Sequence, residues 1–278
     1  MTSASPAVTV VLGARGKTGR RVVDRFQQAG LPVRGASRSS AFPFDWQDRA
    51  TWRPVLDGAR AAYITFYPDL ALPGAADTVG DFVDLAVASG VRRLVLLSGR
   101  GEEGAQGAEK RLQESGADWT VVRCAFFNQN FSETFAEAIR HGVIAMPAGE
   151  TREPFLDADD IADVVFAVLT EDGHQGQLYE LTGPRLLGLA DVAAELGQAI
   201  GREVRYVPLS PADYAEQLME HGMPPSEAKP IAGLIASVLD GRNESLEDGV
   251  QRALGRAPRD FSDFARAAAA AGAWKRAS

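Results

Sequence analysis

The sequence has few of the residues that build disulfide frameworks or metal centres. Its 278 residues include a single cysteine, Cys124, so no disulfide can form within the chain. The three histidines, His141, His174 and His221, share no spacing typical of metal ligands, and we expect no metal site. A lone cysteine is compatible with a reducing compartment, and we predict a cytoplasmic protein.

Charge and hydropathy argue against a nucleic-acid-binding protein, a membrane protein and a secreted protein. Lys and Arg total 29 against 37 Asp and Glu, which gives a net charge of −8 at pH 7. Nucleic acids and anionic membranes are bound through basic patches, so we expect neither as a partner. No apolar run approaches the ~20 residues that span a bilayer, and residues 1–7 lack the basic and apolar regions of a signal peptide. A small-molecule substrate is the expected partner, and the sequence leaves the oligomeric state open.

Hydrophobic patterning predicts alternating strands and helices in the first half of the chain. The predicted strands are Val8–Leu12, Pro32–Ser37, Ala61–Phe66, Arg93–Ser98 and Trp119–Arg123. The predicted helices between them are Thr18–Ala29, Asp77–Ser89 and Ala105–Ser115. Short connections between alternating strands and helices are typical of a doubly wound parallel sheet, so the predicted fold class is α/β, of the Rossmann type.

Helices dominate the sequence after about residue 140. Asp160 is predicted to cap a helix, and Gln177–Leu181 and Glu203–Val207 are predicted to be short strands. The stretch His221–Pro230 carries three prolines and one glycine, which predicts a hinge or flap between helices.

A glycine-rich loop separates the first predicted strand from the first predicted helix. It reads Gly13-Ala14-Arg15-Gly16-Lys17-Thr18-Gly19, a G-x-x-G-x-x-G pattern. Glycines at this spacing allow a tight turn and close approach to a pyrophosphate, and the helix that follows offers N–H groups and a positive dipole end. The alternative is an ordinary turn without a ligand. The position after a buried strand favours a dinucleotide site.

Basic residues follow the second predicted strand, where the adenosine ribose of a dinucleotide would lie. NAD sites usually carry Asp or Glu about 20 residues after the loop, whereas this chain has Ser37, Arg38 and Ser39. Arg38 can form a bidentate pair with a 2′-phosphate, and Arg15 can stack on adenine or reach the same phosphate. The alternative is that both arginines are solvated surface charges. The exchange of an acidic for a basic residue predicts NADPH, or NADP when oxidised, over NADH.

Further candidate ligands follow because open parallel sheets bind ligands beyond the carboxyl ends of their strands. Asp45 and Trp46 are predicted either to contact adenine or to form a polar turn. The residues predicted to flank the cofactor are Phe66, Tyr67 and Ser98. Those predicted to contact the substrate are Cys124, Phe126, Phe127 and Asn130, with core packing for the first three and helix capping for Asn130 as the alternatives.

Several stretches together resemble the NmrA-like group of atypical short-chain dehydrogenases. They are VLGARGKTGRRVV, FVDLAVASGVRRLVLLSG, SGADWTVVR followed by FFNQNF, EPFLDADDIADV and GVQRALGRAPRDFSDFAR. The resemblance implies a Rossmann domain over residues 1–150 and a smaller, mostly helical substrate domain over residues 151–278, with the chain free to cross back between them. It also implies cofactor contacts from Gly13, Arg15, Gly16, Lys17, Thr18, Gly19 and Arg38. Members of the group include NADPH-dependent reductases, quinone reductases, redox-sensing regulators and reductases that tailor aromatic polyketide antibiotics.

The chain lacks the proton donor of classical short-chain dehydrogenases. Those enzymes place Tyr-x-x-x-Lys after the strand that corresponds to RLVLLS, and the tyrosine protonates the carbonyl oxygen. Between Ser98 and Trp119 this chain has no tyrosine and one lysine, Lys110. The catalytic residues are therefore unassigned. Ser98, Arg123 and Asn128 are candidates to polarise the oxygen, and water or a phenol of the substrate are alternative proton sources.

Three functions remain open at this point. The resemblance favours an NADPH-dependent ketoreductase that acts on a small or polycyclic aromatic carbonyl without the Tyr–Lys pair. The missing tyrosine leaves room for a non-catalytic NADPH-sensing regulator. A quinone reductase is the third possibility, because the NmrA-like group includes such enzymes.

Overall fold

The computed structural model describes residues 8–275, so residues 1–7, in which no signal peptide is predicted, lie outside the described part of the chain. The strands are β1 (Val8–Leu12), β2 (Val33–Ser37), β3 (Phe42–Pro43), β4 (Ala59–Ile64), β5 (Arg93–Gly99), β6 (Asp118–Cys124), β7 (Val143–Met146), β8 (Arg152–Glu153), β9 (Gln177–Leu181), β10 (Leu187–Gly188) and β11 (Arg205–Pro208). The helices are α1 (Lys17–Gln28), α2 (Trp52–Leu56), α3 (Ala75–Ala88), α4 (Gln106–Gln113), α5 (Gln129–Ser132), α6 (Ala136–Arg140), α7 (Ala158–Thr170), α8 (Leu189–Ile200), α9 (Pro211–Glu220), α10 (Pro225–Val238), α11 (Gly249–Leu254) and α12 (Phe261–Ala270).

The first structural unit is built around one parallel sheet. Its seven strands lie in the order β3-β2-β1-β4-β5-β6-β9, and every neighbouring pair is parallel. The strand order reverses direction between β1 and β4, which is the point where open α/β sheets bind their ligands. The predicted Rossmann-type α/β class is confirmed.

The core strands have few polar side chains because helices cover both faces of a parallel sheet. Val10, Val11 and Leu12 of β1 have no exposed surface, and Leu94, Val95 and Leu96 of β5 are equally buried. This burial explains why both strands read as continuous apolar runs in the sequence.

The chain divides into two units at other points than the predicted boundary at residue 150. Among the described residues, the first unit contains those up to Cys124, then Ala158–Leu181 and Asp248–Ala257. The second contains Ala125–Asp157, Thr182–Glu247 and the residues from Pro258 onward. The physical reason is strand pairing: β9 completes the large sheet by pairing with β6, so α7 and β9 belong to the first unit.

The second unit is mostly helical and has its own aromatic core. Phe131, at the centre, packs edge-on to Phe155 and Phe261, with ring centroids 5.4 and 5.6 Å away. Two small sheets accompany the helices, β7 with β11 in parallel and β8 with β10 antiparallel. The buried indole of Trp274 donates to the carbonyl oxygen of Phe131 at 2.9 Å.

Two local predictions are wrong. Asp160 does not cap a helix, because α7 begins at Ala158; its side chain is fully buried and forms an ion pair of 2.7 Å with Arg256. The stretch His221–Pro230 is not a loop throughout. Pro225 occupies the first turn of α10, where proline is tolerated, and Pro230 lies inside that helix.

Among residues 8–275, no helix combines the length and the apolar character needed to cross a lipid bilayer.

Candidate functional site

The glycine-rich loop joins β1 to α1 through backbone contacts that exclude side chains. Gly13 has φ of +63°, a conformation that favours glycine, and its carbonyl oxygen accepts from the amide of Gly16 at 2.7 Å. A methyl group on Gly19 would overlap the carbonyl oxygen of Gly13. The loop and the first turn of α1 are therefore in direct backbone contact, and no larger residue fits at Gly19.

The N-terminus of α1 is suited to an anion. Its first turn contains no acidic residue, and no side chain caps it at Gly16. The hydroxyl of the buried Tyr63 donates a hydrogen bond of 3.1 Å to Oγ1 of Thr18 and orients that hydroxyl. A glycine cradle and an uncapped helix N-terminus together fit the pyrophosphate of a dinucleotide.

Two guanidinium groups lie beside the loop that follows β2. Arg15 donates from Nη1 to Oγ of Ser39 at 2.8 Å, and the guanidinium carbon of Arg38 lies 5.6 Å from the ring centroid of Tyr67. Arg15, Arg38 and Tyr67 are all exposed. The structure thus brings together three of the predicted cofactor residues, from three separate loops.

Asp45 and Trp46 have structural contacts of their own. Trp46 donates from its indole N–H to the carbonyl oxygen of Thr65 at 3.1 Å and packs 5.0 Å from the ring of Phe66. Asp45 accepts from the amide of Gln47 at 3.0 Å, which closes a turn. These contacts favour the polar turn over an adenine contact. Phe66 lies two residues after the end of β4 and packs against Trp46.

Two of the catalytic candidates are held in a charge network at the ends of β5 and β6. The hydroxyl of Ser98 donates to Oε1 of Glu109 at 2.6 Å. Arg123 donates to both oxygens of Glu109, at 3.0 and 2.5 Å, and to Glu180 at 2.6 Å. Because both donors are already engaged with carboxylates, this network argues for a structural role of Ser98 and Arg123.

Cys124 lies at the end of β6 with 5% of its surface exposed. Burial, and to a lesser extent the charge of Glu102, raises the pKa of its thiol well above the ordinary value. A buried neutral thiol is a poor nucleophile. Cys124 thus behaves as a small apolar side chain beneath the strand ends.

Asn128, the third catalytic candidate, has a side chain with an unusual environment. Its backbone amide donates to Leu156 at 2.8 Å, but its side chain makes no capping bond to α5. Asn128 is fully buried, and within residues 8–275 neither Oδ1 nor Nδ2 has a hydrogen-bond partner. A buried amide without partners is costly unless a ligand or water satisfies it, so Asn128 remains a candidate for binding a polar group.

The other predicted substrate residues follow β6 in the second unit. Phe126 and Phe127 are half-buried, and the ring of Phe126 stacks on Phe135 with centroids 6.5 Å apart. Asn130 lies inside α5, so it is not the cap of that helix. Asn130, like the two phenylalanines, is half-buried.

Sequence analysis missed two carboxyl groups, Asp69 and Glu102. They lie in the loops that follow β4 and β5, adjacent strands of the sheet. Burial is the largest cause that raises the pKa of both carboxyls, and the charge of Asp69 is the next for Glu102, whose pKa rises to about 8. The available signal was the position of Glu102, three residues after Gly99 at the end of a buried strand.

Comparison with known proteins agrees with this geometry. Residues 13–172 match a family model described as NAD(P)H-binding. The chain belongs to this NAD(P)H-binding family. An NAD(P)H azoreductase of Xenophilus azovorans is 32% identical over 94% of this chain and 98% of its own length. An agroclavine dehydrogenase of Claviceps fusiformis is 33% identical, covering 92% of this chain and 96% of its own.

Two solved structures share the fold. NADPH-dependent quinone oxidoreductase QOR2 of Escherichia coli, complexed with NADPH, has a TM-score of 0.78 and 23% identity over 92% of this chain and 98% of its own. The negative transcriptional regulator NmrA has a TM-score of 0.70 and 18% identity over 95% of each chain. The predicted kinship with NmrA-like atypical short-chain dehydrogenases is confirmed, and so are an oxidoreductase and an NAD(P)H cofactor.

Proposed function

We propose that this NAD(P)H-binding protein is an NADPH-dependent reductase that transfers hydride to a small or polycyclic aromatic carbonyl. The choice of NADPH depends on one observation: Arg15 and Arg38 converge at the loop after β2. No carboxylate lies between Ser37 and Phe44, where NADH sites usually place one. Two guanidinium groups without a nearby acid form a site for the dianionic 2′-phosphate.

The contacts of each arginine support this role. Ser39 holds Arg15 by one nitrogen, which leaves its other N–H groups available to an anion. The ring of Tyr67 lies beside Arg38, a contact that orients a guanidinium without consuming its hydrogen-bond donors. Both arginines can thus receive the phosphate with little reorganisation.

The remaining cofactor residues are assigned by their positions. Gly13, Gly16, Lys17, Thr18 and Gly19 would hold the pyrophosphate. When bound, NADPH supplies the hydride and the two electrons of the reduction. The protein's own task is to orient the substrate, exclude water and deliver a proton.

The substrate class is supported by chemistry shared among relatives. The names NAD(P)H azoreductase and NADPH-dependent quinone oxidoreductase each join a nicotinamide cofactor to a redox reaction, and agroclavine dehydrogenase is also named for a redox reaction. The half-buried rings of Phe126 and Phe127 supply aromatic surface, and the amide of Asn128 supplies an unsatisfied donor and acceptor. These groups suit a flat aromatic molecule that carries an oxygen.

Charge reversal at Arg38 tests the cofactor assignment. Arg38→Glu should raise the Kd for NADPH about 10- to 100-fold, since a charge-assisted hydrogen bond contributes roughly 1.5–3 kcal/mol, and should change the Kd for NADH little. The matched control is Arg60→Glu. Arg60 is exposed and lies at the N-terminal end of β4, whereas the proposed cofactor site lies at the C-terminal ends of the strands. Equal weakening of both dinucleotides by Arg38→Glu would overturn the assignment.

A panel of electron acceptors tests the reaction. NADPH oxidation is followed with hydroxy-anthraquinone ketones, simple quinones and an azo dye at saturating cofactor. Preferred turnover of the aromatic ketones supports the proposal, and preferred turnover of quinones identifies a quinone reductase instead. Tight NADPH binding without turnover of any acceptor would favour the sensing regulator.

A further inference from the structure

The carboxyl group of Glu102 lies on the backbone at the end of β5. A methyl group on Gly99 would overlap both carboxyl oxygens and the carboxyl carbon of Glu102. Gly99 pairs with Cys124 in the register of β5 and β6. The carboxyl is therefore at the carboxyl edge of the sheet, where this fold binds its ligands, and glycine at position 99 makes room for it.

The surroundings of Glu102 provide no cation for it. Within residues 8–275 its side chain has no hydrogen bond and no ion pair. The titratable groups near it are Asp69 after β4, Glu109 on α4 and Cys124 on β6, and the guanidinium of Arg123 is bound to Glu109. A largely desolvated carboxyl beside other acids favours its neutral form, which carries a proton that can be donated.

The neighbouring loop holds Asp69 in place. The amide of Ala71 donates to Oδ1 of Asp69 at 2.8 Å, and a methyl group on Gly104 would overlap the carbonyl oxygen of Ala71. The loops after β4 and β5 thus contact each other through backbone at Gly104. Asp69 consequently keeps a fixed position, from which its charge acts on Glu102.

We propose that Glu102 is the proton donor of the reduction and replaces the absent tyrosine of classical short-chain dehydrogenases. This inference rests on the proposed function. Ser98 and Arg123 are bound to carboxylates, whereas the carboxyl of Glu102, at the same edge of the sheet, has no hydrogen-bond or ion-pair partner in the described part of the chain. Asp69 is a positioning residue that acts through Glu102 by keeping it protonated.

The step balances with NADPH as the reductant. Hydride from the dihydronicotinamide forms the new C–H bond at the carbonyl carbon, and the carbonyl π bond breaks toward oxygen. The O–H bond of Glu102 breaks as its proton passes to that oxygen, so the products are an alcohol, NADP⁺ and the Glu102 carboxylate. Water returns the proton to Glu102 before the next turnover.

The first experiment measures the pH profile of kcat with NADPH and the hydroxy-anthraquinone ketone of the acceptor panel that the wild type reduces fastest. The wild-type rate should fall above about pH 8, where Glu102 ionises. Glu102→Gln should lower kcat about 10²-fold and abolish this alkaline fall, because a positioned general acid contributes typically 10²–10⁴-fold. Glu103→Gln, an exposed neighbour, is the matched control and should keep the wild-type profile.

Asp69→Asn separates a chemical role from a structural one. The amide keeps the turn to Ala71 but removes the negative charge, so the alkaline limb should move to lower pH with kcat at pH 6 preserved. A Glu102 that served only packing would show no such displacement. Glu102→Asp, which keeps the acid but shortens its reach, should retain the alkaline limb at reduced kcat.

A measurement without turnover provides the second readout. Infrared difference spectra between wild type and Glu102→Gln should show a protonated carboxyl band at pH 6.5 that disappears above pH 9, both with and without NADPH. Unchanged kcat and an unchanged alkaline limb in Glu102→Gln, or a band that disappears near pH 4, would overturn this inference alone. Absence of NADPH oxidation by the wild type with every acceptor would overturn the proposed function and the inference together.

Discussion

Glu109 accepts hydrogen bonds from Arg123 on both of its oxygens, from Nε at 3.0 Å and from Nη2 at 2.5 Å. The Glu109 side chain is 4% exposed, and that of Arg123 is 19% exposed. The pair joins α4 to β6 directly beneath the strand ends that form the candidate site. A bidentate pair of this kind fixes the helix that covers the sheet at this edge.

Removing Arg123 should therefore destabilise the fold. Arg123→Leu leaves Glu109 as a buried charge that has lost its bidentate partner, and we expect the free energy of unfolding to fall by about 3–5 kcal/mol. Urea denaturation at pH 7 measures this change. Lys110→Leu, which removes an exposed 3.8 Å pair with Glu114 just after the end of α4, should cost less than about 1 kcal/mol. Similar losses in the two variants would contradict the importance given to burial.

The surroundings of Gly19 and Gly233 predict opposite effects when each glycine is replaced by alanine. Gly19→Ala places a methyl group onto the carbonyl oxygen of Gly13, so the loop must move. We expect a fall of several degrees in Tm and at least a tenfold rise in the Kd for NADPH. Gly233 is exposed inside α10 with open space around it, and Gly233→Ala should raise stability by about 0.5–1 kcal/mol. Tight NADPH binding by Gly19→Ala would contradict the loop assignment.

Cys124 should be protected in the native state. Burial raises the pKa of its thiol, so little thiolate forms at pH 8, and the side chain is 5% exposed. We expect a disulfide reagent such as DTNB to react at least 100-fold more slowly with native protein than with protein in 8 M urea. Rapid stoichiometric reaction in buffer would show that the strand ends are more open than described.

The pair of Arg185 and Asp260 predicts a pH-dependent contribution to stability. Asp260 accepts from Nε and Nη2 of Arg185 at 2.6 and 2.8 Å, which holds the pKa of the Asp260 carboxyl below its usual range. A carboxyl with a lowered folded pKa stabilises the protein above its unfolded pKa near 4, and this stability is lost as the pH falls through the folded value.

The variant Arg185→Gln measures that contribution. The side chain of Arg185 is 39% exposed, so solvent screening limits the loss at pH 7 to about 1 kcal/mol. The difference from wild type should shrink as the pH falls from 5 toward 2, because the unfolded chain gains a proton at Asp260 below its pKa near 4, whereas the ion pair with Arg185 resists protonation in the folded wild type. A constant difference across this range would show that packing of the arginine, not its charge, stabilises the fold.

The strands and the phosphate loop could be predicted because each depends on local sequence. β1 was predicted with its observed limits, Val8–Leu12, since a buried strand of a parallel sheet must be apolar on both faces. The glycines of the loop were recognisable because backbone contact at Gly19 excludes every side chain. The absence of an acid after β2 carries the prediction of NADPH over NADH.

Other features depended on partners distant in sequence. Asp160 resembled a helix cap, yet its partner is Arg256, 96 positions later in the numbering of the chain. The sequence leaves Trp46 available to adenine, but in the structure its indole donates to the carbonyl oxygen of Thr65 and packs against the ring of Phe66. The sequence likewise leaves Ser98 and Arg123 available for catalysis, but in the structure both side chains donate hydrogen bonds to Glu109.

The sequence by itself determined the class of the fold, the dinucleotide loop and the missing tyrosine, since strand burial, backbone contact and the presence of a residue type are all legible along the chain. Tertiary structure alone decided which polar groups near the strand ends are engaged and which, such as the carboxyl of Glu102 and the amide of Asn128, have no hydrogen-bond partner within residues 8–275. Hydrogen bonding and desolvation depend on the residues that folding brings together. For that reason Glu102, an ordinary glutamate in the sequence, becomes a carboxyl with a pKa of about 8 only where the loops after β4 and β5 meet.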